Sequence, residues 1–460
     1  MIKTPDWVRE AVIYQIFPDR FYNGSDANDP PGIAEWGEQP SRDNYFGGDL
    51  EGIAQKLDYI QSLGVNTIYL TPIFSAPSNH KYDTRDYYQV DDVFGGASAL
   101  NRLLLDMHQR GMKLILDGVF NHCGEEFFAF QDVLKKGKSS TFSNWFNIFG
   151  YPLSKNPLNY NCCGDASYLP KLNHANPEVN EYFLEVGKYW IEEFDIDGWR
   201  LDVPFKIQKR FWKDFRKIIK TAKKDTFLFG EVWRDGRTWV NGETFDGFTN
   251  YSLRGLILDY CMTEFLDAED YLYEANALRE SLGDAAYCMV NLLGSHDTTR
   301  LLTIFDEDVN RALLAWVLLL TEVGIPLIYY GDEVGMLGNN DPDCRRTMIW
   351  EENKKNTRIY NTIRSLISLR ENSKALTNGT FESLFSFVGV AAYKRHYQNE
   401  EIIVVMNARD DVHNIRIPVR STRTTYYDYP SKNVVNVKDG EILFSYFPAC
   451  DFKIFTSKIV

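Results

Sequence analysis

Arg200 and Asp202 lie two residues apart, at the end of the apolar run that closes with Gly198-Trp199-Arg200-Leu201-Asp202. Side chains alternate along a strand, so residues two apart face the same side and can hydrogen-bond each other. A guanidinium beside a carboxyl group keeps that group ionised, which a nucleophile requires and a general acid must avoid. The pair therefore predicts a nucleophilic Asp202, with a structural salt bridge at a strand end as the alternative interpretation.

Three other apolar runs also end in groups that can do chemistry: Asp117, Asn121 and His122 in the first, Glu231 in the second, and His296 with Asp297 in the third. In a parallel barrel, all strands end at one rim, where the active sites of this architecture lie. A single acid at a strand end is often only a helix N-cap. Four such ends together predict acids and histidines that converge in one cleft.

Two carboxyl groups with separated pKa values are what retaining glycoside hydrolysis needs. Asp202, beside Arg200, suits the role of nucleophile. Glu231 follows Phe227-Leu228-Phe229 and precedes Val232-Trp233, an apolar setting that raises the pKa of a carboxyl group, as a general acid requires. Asp297, beside His296, suits hydroxyl binding and stabilisation of positive charge in an oxocarbenium-like transition state.

The elements that must position these groups alternate between strands and helices, which is typical of a parallel sheet. Helical spacing of apolar residues over Leu50–Leu63 and an N-cap at Asn176 followed by Pro177 mark two of the helices. The eight predicted strands are Val12–Phe17, Asn66–Phe74, Met112–His122, Phe194–Asp202, Thr226–Glu231, Phe245–Asn250, Ala286–Gly294 and Gly324–Tyr330. The sequence thus predicts a (β/α)8 TIM barrel.

Two segments depart from this alternation. Residues 123–173 form a long, loop-rich stretch, which predicts a subdomain inserted after the third strand. Beyond about Leu376 the pattern has a period of two residues, which predicts a C-terminal antiparallel β-sandwich. The predicted organisation is a catalytic barrel over 1–122 and 174–375, the insertion over 123–173, and the sandwich over 376–460.

Composition narrows the class of partner. The chain has 460 residues, a formal charge of −14 and 15% aromatic residues, and it lacks a Lys/Arg-rich run, which argues against nucleic acid as a partner. No apolar run reaches the roughly 18 residues of a membrane span, and the start shows no secretory signal. Seven cysteines without C-x-x-C spacing indicate reduced thiols rather than disulfides or zinc. We therefore expect a soluble cytoplasmic protein that makes no membrane contact.

Oxygen-bearing side chains and glycines cluster in two polar loops, Asn23–Asp29 and Gly47–Asp49. Carboxylate, amide and carbonyl oxygens are the ligands that Ca²⁺ prefers. The loops predict a structural calcium site, and plain turn chemistry is the alternative. The candidate ligands are Asn23, Asn28, Asp29, Gly47 and Asp49.

Four runs resemble, in order, the signature regions of the α-amylase family of glycoside hydrolases: Asp117 to His122, Gly198 to Asp202, Gly230 to Trp233, and Ser295 to Asp297. The resemblance implies Asp202 as nucleophile, Glu231 as acid/base and Asp297 as transition-state stabiliser. It also implies further sugar contacts, with Tyr82 as a stacking platform and Asp341 and Arg345 holding the next sugar on the non-reducing side. The implied contacts are His80, Tyr82, His122, Arg200, His296, Asp341 and Arg345.

Leu169 to Asn173 resembles a fifth region, that of the neopullulanase, cyclomaltodextrinase and maltogenic amylase branch. The chain departs from that branch at Lys206, where an acidic residue is common, and at Ser25, where an Asp is usual in the calcium loop. The branch also carries an N-terminal β domain that builds a dimer, whereas the first barrel strand here begins by Val12. We therefore expect a monomer.

The expected activity is that of a retaining α-glucan hydrolase that cleaves α-1,4 bonds of maltodextrins, starch or cyclodextrins. A 4-α-glucanotransferase would use the same residues and differ only in the acceptor. A non-catalytic carbohydrate-binding barrel is the alternative from another class, but such relatives of the family typically have incomplete catalytic acids, whereas all three acids are present here.

Overall fold

The computed structural model describes residues 4–262 and 265–460. Met1 to Lys3, where the sequence predicts no signal segment, lie outside the described residues. Within the described ranges, no helix combines the length and apolar character needed to cross a bilayer.

Strands and helices are numbered in chain order. The strands are β1 (Ile13–Ile16), β2 (Thr67–Leu70), β3 (Phe74–Ser75), β4 (Asp86–Val90), β5 (Lys113–Gly118), β6 (Cys162–Cys163), β7 (Ala166–Pro170), β8 (Gly198–Leu201), β9 (Phe227–Gly230), β10 (Gly247–Phe248), β11 (Val290–Leu292), β12 (Ile325–Tyr329), β13 (Thr380–Phe387), β14 (Val390–Tyr397), β15 (Glu400–Asn407), β16 (Val412–Pro418), β17 (Thr425–Tyr429), β18 (Val434–Asn436), β19 (Glu441–Phe447) and β20 (Asp451–Thr456). The helices are α1 (Leu50–Gln55), α2 (Leu57–Ser62), α3 (Gly96–Gln109), α4 (Phe128–Lys136), α5 (Pro177–Phe194), α6 (Lys209–Ala222), α7 (Tyr251–Met262), α8 (Ala268–Leu282), α9 (Leu301–Ile304), α10 (Val309–Thr321), α11 (Thr357–Glu371) and α12 (Lys374–Thr377).

Eight parallel strands form the central sheet, in the order β10, β9, β8, β5, β2, β1, β12, β11. A parallel bridge between Thr249 and Val290 joins the two ends, so the sheet closes into the predicted TIM barrel. Apart from Lys113, every residue in these eight strands is buried, because helices cover the outside and side chains fill the inside.

Register along the barrel brings the predicted strand ends to one level. Asp117 pairs with Arg200, and Leu201 pairs with Gly230. Asp202 and Glu231 are each the first residue after their strand, and the Glu231 amide donates to the Leu201 carbonyl at 2.9 Å. Neighbouring strands therefore deliver these acids side by side at the C-terminal rim.

The helix α5 begins where the sequence predicts, because Asn176 accepts a hydrogen bond from the Glu178 amide at 3.0 Å and Pro177 occupies the first turn. The prediction that the fourth strand begins at Phe194 is wrong. Phe194 ends α5, and Asp195 closes that helix in a left-handed conformation (φ 57°, ψ 34°). The helix predicted over Leu50–Leu63 is divided at Lys56 into α1 and α2.

The stretch 123–173 contains α4 and a hairpin formed by β6 and β7. Trp145, Phe146 and Tyr160 are buried within it. An antiparallel bridge between Lys171 and His122 holds the end of this segment against the barrel rim. The insertion thus forms one wall of the cleft above the strand ends.

The C-terminal strands form a six-stranded antiparallel sheet, in the order β13, β14, β15, β20, β17, β18, and a separate pair, β16 with β19. Ile403 and Val405 of the sheet pack with Ile417 and Phe447 of the pair in one buried cluster, which makes a sandwich, as predicted. The alternation along the sequence predicts five of these strands, over 381–387, 390–395, 402–407, 414–419 and 452–456. The strands β17, β18 and β19 are additions, because their aromatic and polar residues do not alternate clearly.

Two buried arginines connect the barrel to this sandwich. Arg395, on β14, donates to the Thr321 carbonyl at 2.6 Å and to the Leu376 and Gly379 carbonyls at 3.0 Å. Arg370, on α11, donates to the Gly324 carbonyl and shares the Leu376 carbonyl. Burial lowers the pKa of Arg370 to about 9 and that of Arg395 to about 10, so both remain charged at neutral pH.

Candidate active site

Arg200 lies at the centre of a buried cluster of carboxyl groups. Its Nη1 lies 2.9 Å from Asp202 Oδ1 and donates to both oxygens of Asp117, at 2.8 and 2.9 Å. Its Nη2 lies 2.9 Å from Glu231 Oε2. The predicted contact between Arg200 and Asp202 is therefore present, but one guanidinium serves three acids from three adjacent strands.

Glu231 is buried, yet its contacts are polar, unlike the apolar setting that its flanking residues predict. In addition to Arg200, it accepts hydrogen bonds from the Val203 amide at 3.2 Å and from Trp233 Nε1 at 3.0 Å. The difference arises because Phe227 and Phe229 pack with the apolar core inside the barrel, whereas Glu231 stands on the rim within reach of its neighbours.

Val203 adopts a left-handed backbone conformation (φ 33°, ψ 51°) directly after Asp202. A β-branched residue rarely adopts this conformation, and such strain is concentrated at functional sites. Here the turn directs the Val203 amide to the carboxylate of Glu231. The backbone strain therefore links the two acids that the sequence assigns to nucleophile and acid.

Burial raises the pKa of Asp202 well above its ordinary value; Arg200 opposes that shift, and the charges of Glu231 and Asp117 add to it. Burial also raises the pKa of Asp117, and the charge of Arg200 offsets part of that rise. A crowded cluster of acids of this kind holds protons more tightly than isolated carboxyl groups do. Burial of Asp202 therefore opposes the ionised form that a nucleophile needs, and Arg200 offsets that effect in part.

Asp297 lies on the opposite side of the cluster and is about a third exposed. Its Oδ1 lies 3.1 Å from Arg345 Nη2, and its Oδ2 lies 3.1 Å from His296 Nε2. Arg345 also donates from Nε to the His296 carbonyl at 2.8 Å. Arg345 and His296 therefore orient the Asp297 carboxylate, which stays accessible to a ligand.

Tyr82 connects the two sides of the site. Its hydroxyl donates to Asp117 Oδ2 at 2.9 Å and lies 2.7 Å from His296 Nε2. Gln15 Nε2 donates to His296 Nδ1 at 2.7 Å, which places the ring proton on Nε2, facing Tyr82. The rings of Tyr82 and His296 are stacked, with centroids 5.5 Å apart. The network fixes the orientation of the predicted stacking platform.

Lys81 fixes the loop between the predicted contacts His80 and Tyr82. Its backbone is left-handed (φ 61°), and its buried Nζ lies 2.8 Å from Asp91 Oδ2 and donates to the Ala76 carbonyl at 2.9 Å. The Tyr82 amide donates to His80 Nδ1 at 3.1 Å, so His80 is tied to the same turn. Burial lowers the pKa of His80, which favours its neutral form.

His122 is buried on the same rim, with Nδ1 3.2 Å from Asn121 Nδ2. Across residues 4–262 and 265–460, its Nε2 has no hydrogen-bond partner of good geometry. Burial lowers the pKa of His122 to about 4, although a backbone contact with Tyr82 raises it. A neutral imidazole with a free nitrogen suits a contact to a sugar hydroxyl.

Asp341 is brought to the site by Arg345, whose Nη1 lies 2.9 Å from Asp341 Oδ1. All the predicted catalytic and sugar-binding residues therefore lie in one connected cluster. Two residues that the sequence patterns do not predict complete the cluster: Gln15 orients His296, and Tyr69 donates to Asp117 Oδ2 at 2.6 Å. Gln15 and Tyr69 each interrupt a buried apolar strand with a polar group, and that interruption is the signal that could have identified them.

The candidate calcium ligands lie together at the start of α1. Asn23 Nδ2 donates to Asp29 at 2.9 Å, and a Cβ on Gly47 would lie 2.3 Å from Asp29 Oδ1, so these three are in close contact. Asn28 Nδ2 donates to Asp49 Oδ2 at 3.0 Å, while Asp49 Oδ1 accepts the Gly52 amide as the N-cap of α1. The five residues thus form two hydrogen-bonded groups, in which amide nitrogens rather than oxygens face the carboxylates. Their carboxylate and amide oxygens are ligand types that Ca²⁺ accepts, but the described residues hold no group of three or more acidic, histidine or cysteine side chains placed to bind a metal.

Comparisons with known proteins agree with this geometry. A family model described as alpha amylase, catalytic domain, matches residues 15–379. A cyclomaltodextrinase of Thermoanaerobacter pseudethanolicus is 48% identical over 407 residues, 88% of this chain and 71% of that protein. An intracellular maltogenic amylase of Bacillus subtilis is 45% identical over 83% of this chain and 65% of its own length. Among solved structures, a cyclic α-maltosyl-(1→6)-maltose hydrolase of Arthrobacter globiformis superposes with a TM-score of 0.92 at 37% identity, covering 99% of this chain and 100% of that chain.

Proposed function

Because the chain belongs to the α-amylase family of glycoside hydrolases, we propose that it hydrolyses α-1,4-glucosidic bonds of linear and cyclic maltodextrins with retention of configuration. The observation that carries the proposal is the contact of one guanidinium, Arg200, with both Asp202 and Glu231. Retaining hydrolysis needs two carboxyl groups close to the same bond. The relatives named for cyclodextrins and for maltose release support this class of substrate.

In the first step, an Asp202 oxygen attacks the anomeric carbon while Glu231 gives its proton to the glycosidic oxygen. The bond between that carbon and oxygen breaks, the shortened glucan leaves as an alcohol, and a glycosyl ester forms on Asp202. Arg200 stabilises the ionised nucleophile before attack. The Val203 amide and Trp233 Nε1 keep Glu231 directed at the same bond.

In the second step, ionised Glu231 takes a proton from water, and the resulting hydroxide attacks the anomeric carbon and releases Asp202. Both steps pass through a transition state with positive charge on the sugar. Asp297, oriented by Arg345 and His296, supplies the negative charge that stabilises it.

Substrate contacts follow from the same cluster. Tyr82 provides the ring beneath the sugar at the cleavage point, while His122 and His296 contact its hydroxyls. Asp341 and Arg345 hold the next sugar on the non-reducing side, with His80 nearby. We propose that Asn23, Asn28, Asp29, Gly47 and Asp49 bind a structural Ca²⁺, which would crosslink the β1–α1 loop away from the reacting atoms.

We also propose that the protein acts as a monomer in the cytoplasm. A relative that is 45% identical is named as intracellular, which supports the location. Light scattering of the purified protein measures the mass directly. A dimer that persists on dilution contradicts the monomer.

Product analysis tests the activity. The enzyme is incubated with maltoheptaose, β-cyclodextrin, pullulan and starch, and the products are separated by size. We expect shorter maltodextrins from maltoheptaose and ring opening of β-cyclodextrin. Products longer than maltoheptaose as the main outcome indicate a glucanotransferase instead, and no cleavage of any of the four substrates overturns the proposal.

A further inference from the structure

Glu231 has different partners at its two carboxyl oxygens. Oε2 lies 2.9 Å from Arg200 Nη2 and accepts the Val203 amide at 3.2 Å, so two donors occupy its two lone pairs. Among the described residues, Oε1 accepts a single hydrogen bond, from Trp233 Nε1 at 3.0 Å. The proton of the acid form therefore lies on Oε1, which is the oxygen that faces the leaving group. The indole N–H of Trp233 fixes the direction of that oxygen.

Trp233 needs a neighbour to hold its own ring in place. It lies on the loop after β9, and 42% of the residue is exposed. An exposed side chain keeps several rotamers unless a packed neighbour restricts it, because fixing one rotamer costs conformational entropy. Tyr251 supplies that restriction, since the two rings are stacked with centroids 3.9 Å apart and 9° between their planes. Contact over the ring face holds the indole in the rotamer that points its N–H at Glu231.

Tyr251 can hold another side chain because it is itself anchored to the barrel. It is the first residue of α7, and the preceding Asn250 donates to Asn291 Oδ1, on β11, at 2.9 Å. The hydroxyl of Tyr251 lies 3.4 Å from Ser295 Oγ, which accepts the Asp297 amide at 3.3 Å. The phenol ring is thus tied to β11 and to the loop that carries Asp297. A side chain supported in this way is preorganised.

We propose that Tyr251 is a positioning residue for proton transfer, which acts through the indole of Trp233 to direct Glu231 Oε1 at the glycosidic oxygen. Across residues 4–262 and 265–460, Tyr251 makes no hydrogen bond to Glu231, so its effect passes through the stacked ring. In this step the O–H bond of Glu231 breaks, the proton goes to the leaving oxygen, and the electron pair of the broken C–O bond stays on that oxygen. The inference rests on the proposed function, because it needs Glu231 as the acid.

Aryl α-maltosides that differ in the acidity of the leaving phenol test this role. 4-Nitrophenolate leaves readily without a proton, whereas 4-methoxyphenol needs one, and the two rings place groups of similar size on the acceptor side. Chromatography measures phenol release, and the quantity compared is the ratio of kcat/KM for the nitrophenyl to that for the methoxyphenyl glycoside. In Tyr251→Leu this ratio should rise by about 5- to 20-fold, a part of the roughly 10²- to 10⁴-fold that a positioned acid contributes. The kcat/KM for α-maltosyl fluoride, which needs no acid, should change by less than about twofold.

Three further variants serve as controls. Tyr251→Phe keeps the stacked ring and loses only the hydroxyl, so its ratio should stay within about twofold of wild type. Tyr273→Leu makes the same change as the test variant at a tyrosine that is 71% exposed on α8, and it should leave the ratio unchanged. Trp233→Phe removes the N–H but keeps a ring on Tyr251, so it should raise the ratio by itself. Adding Tyr251→Leu to Trp233→Phe should raise the ratio no further, because both act on one hydrogen bond.

The outcomes separate the positioning role from the activity. An unchanged ratio in folded Tyr251→Leu, or a further rise when the two substitutions are combined, overturns the positioning role and leaves the hydrolase intact. An unchanged ratio in Trp233→Phe overturns it too, so the test does not depend on the folding of Tyr251→Leu. Absence of turnover of both aryl glycosides and of the fluoride by the wild-type enzyme overturns the proposed function and the positioning role with it.

Discussion

Arg200 Nη2 lies 2.9 Å from Glu231 Oε2, so the guanidinium that pairs with the proposed nucleophile also contacts the proposed acid. A single cation cannot neutralise Asp117, Asp202 and Glu231 together. The surplus negative charge and burial both favour retention of a proton within the cluster. Burial raises the pKa of both Asp202 and Asp117, and Arg200 opposes the shift at each.

The pH dependence of kcat/KM should therefore reflect a carboxyl group on its acid side. The nucleophile must be ionised, and burial raises the pKa of Asp202, so activity should decline on acidification at a pH above the value of about 3.9 for an ordinary Asp. The pKa of His122 is lowered to about 4, so this ring takes up a proton only below about pH 5. His122→Gln should lower kcat/KM by about 100-fold and leave the midpoint of the acid limb in place. A midpoint that moves with this substitution would assign the limb to His122.

Trapping separates the two catalytic acids. Asp202→Asn should reduce turnover by about 1,000-fold or more and accumulate no covalent sugar from α-maltosyl fluoride. Glu231→Gln should accumulate the glycosyl ester from the same compound, because fluoride leaves without a proton but hydrolysis of the ester lacks its base. Mass spectrometry of the intact proteins measures both. Residual turnover of Asp202→Asn near the wild-type rate, in a preparation free of wild-type enzyme, contradicts the assignment.

The stereochemistry of the first product tests double displacement. Two inversions at the anomeric carbon restore the α configuration, so proton NMR of fresh maltooligosaccharide digests should show the α-anomer before mutarotation. Asp297 contacts Arg345 and His296, which suits the electrostatic role proposed for it. Initial release of the β-anomer would falsify the mechanism and the role of Asp202.

Lys81 should control both stability and substrate binding. Lys81→Met leaves Asp91 buried without its cation, which costs about 3–5 kcal/mol of unfolding free energy. It should also raise KM for maltotriose, because the turn that holds His80 and Tyr82 loses its anchor. The double variant Lys81→Met/Asp91→Asn should recover part of the stability. A single variant as stable as wild type, with an unchanged KM, shows that the ion pair has no such role.

Calcium removal should lower thermal stability without altering the reacting groups. If Ca²⁺ is bound at about 100 to 1,000 times its dissociation constant, EDTA should lower Tm by about 3–4 °C in a chain of this length. In Asp29→Asn, which removes one carboxylate of the proposed site, the effect of EDTA should be much smaller. Metal analysis of the untreated protein provides the stoichiometry. An unchanged Tm together with absence of bound calcium contradicts the site.

The sequence predicts the rim of the barrel well because the signals there are local. Asp202 and Glu231 each follow directly on a buried apolar run, and Asn176 with Pro177 specifies the start of α5 within one turn. Short strands are less well predicted. The run Ala286–Gly294 reads as one strand, but its first residues form a 3₁₀ turn, and only Val290–Leu292 pair in the barrel.

The environment of Glu231 could not be predicted because it depends on contacts from other strands. Arg200 reaches it from β8, and the left-handed turn at Val203 directs an amide toward it. Neither feature leaves a mark in the residues that flank Glu231. The same holds for Gln15, whose role depends on a histidine 281 positions away.

The buried arginines Arg370 and Arg395 have a consequence for how the molecule denatures. Their guanidinium groups bond to main-chain oxygens on both sides of the junction, at Thr321, Gly324, Leu376 and Gly379. Separating the sandwich from the barrel would leave charged groups and carbonyls at the junction without partners, a cost of several kcal/mol for each charge. Scanning calorimetry should therefore record one cooperative unfolding transition for the whole chain. A barrel truncated before β13 should be insoluble and inactive.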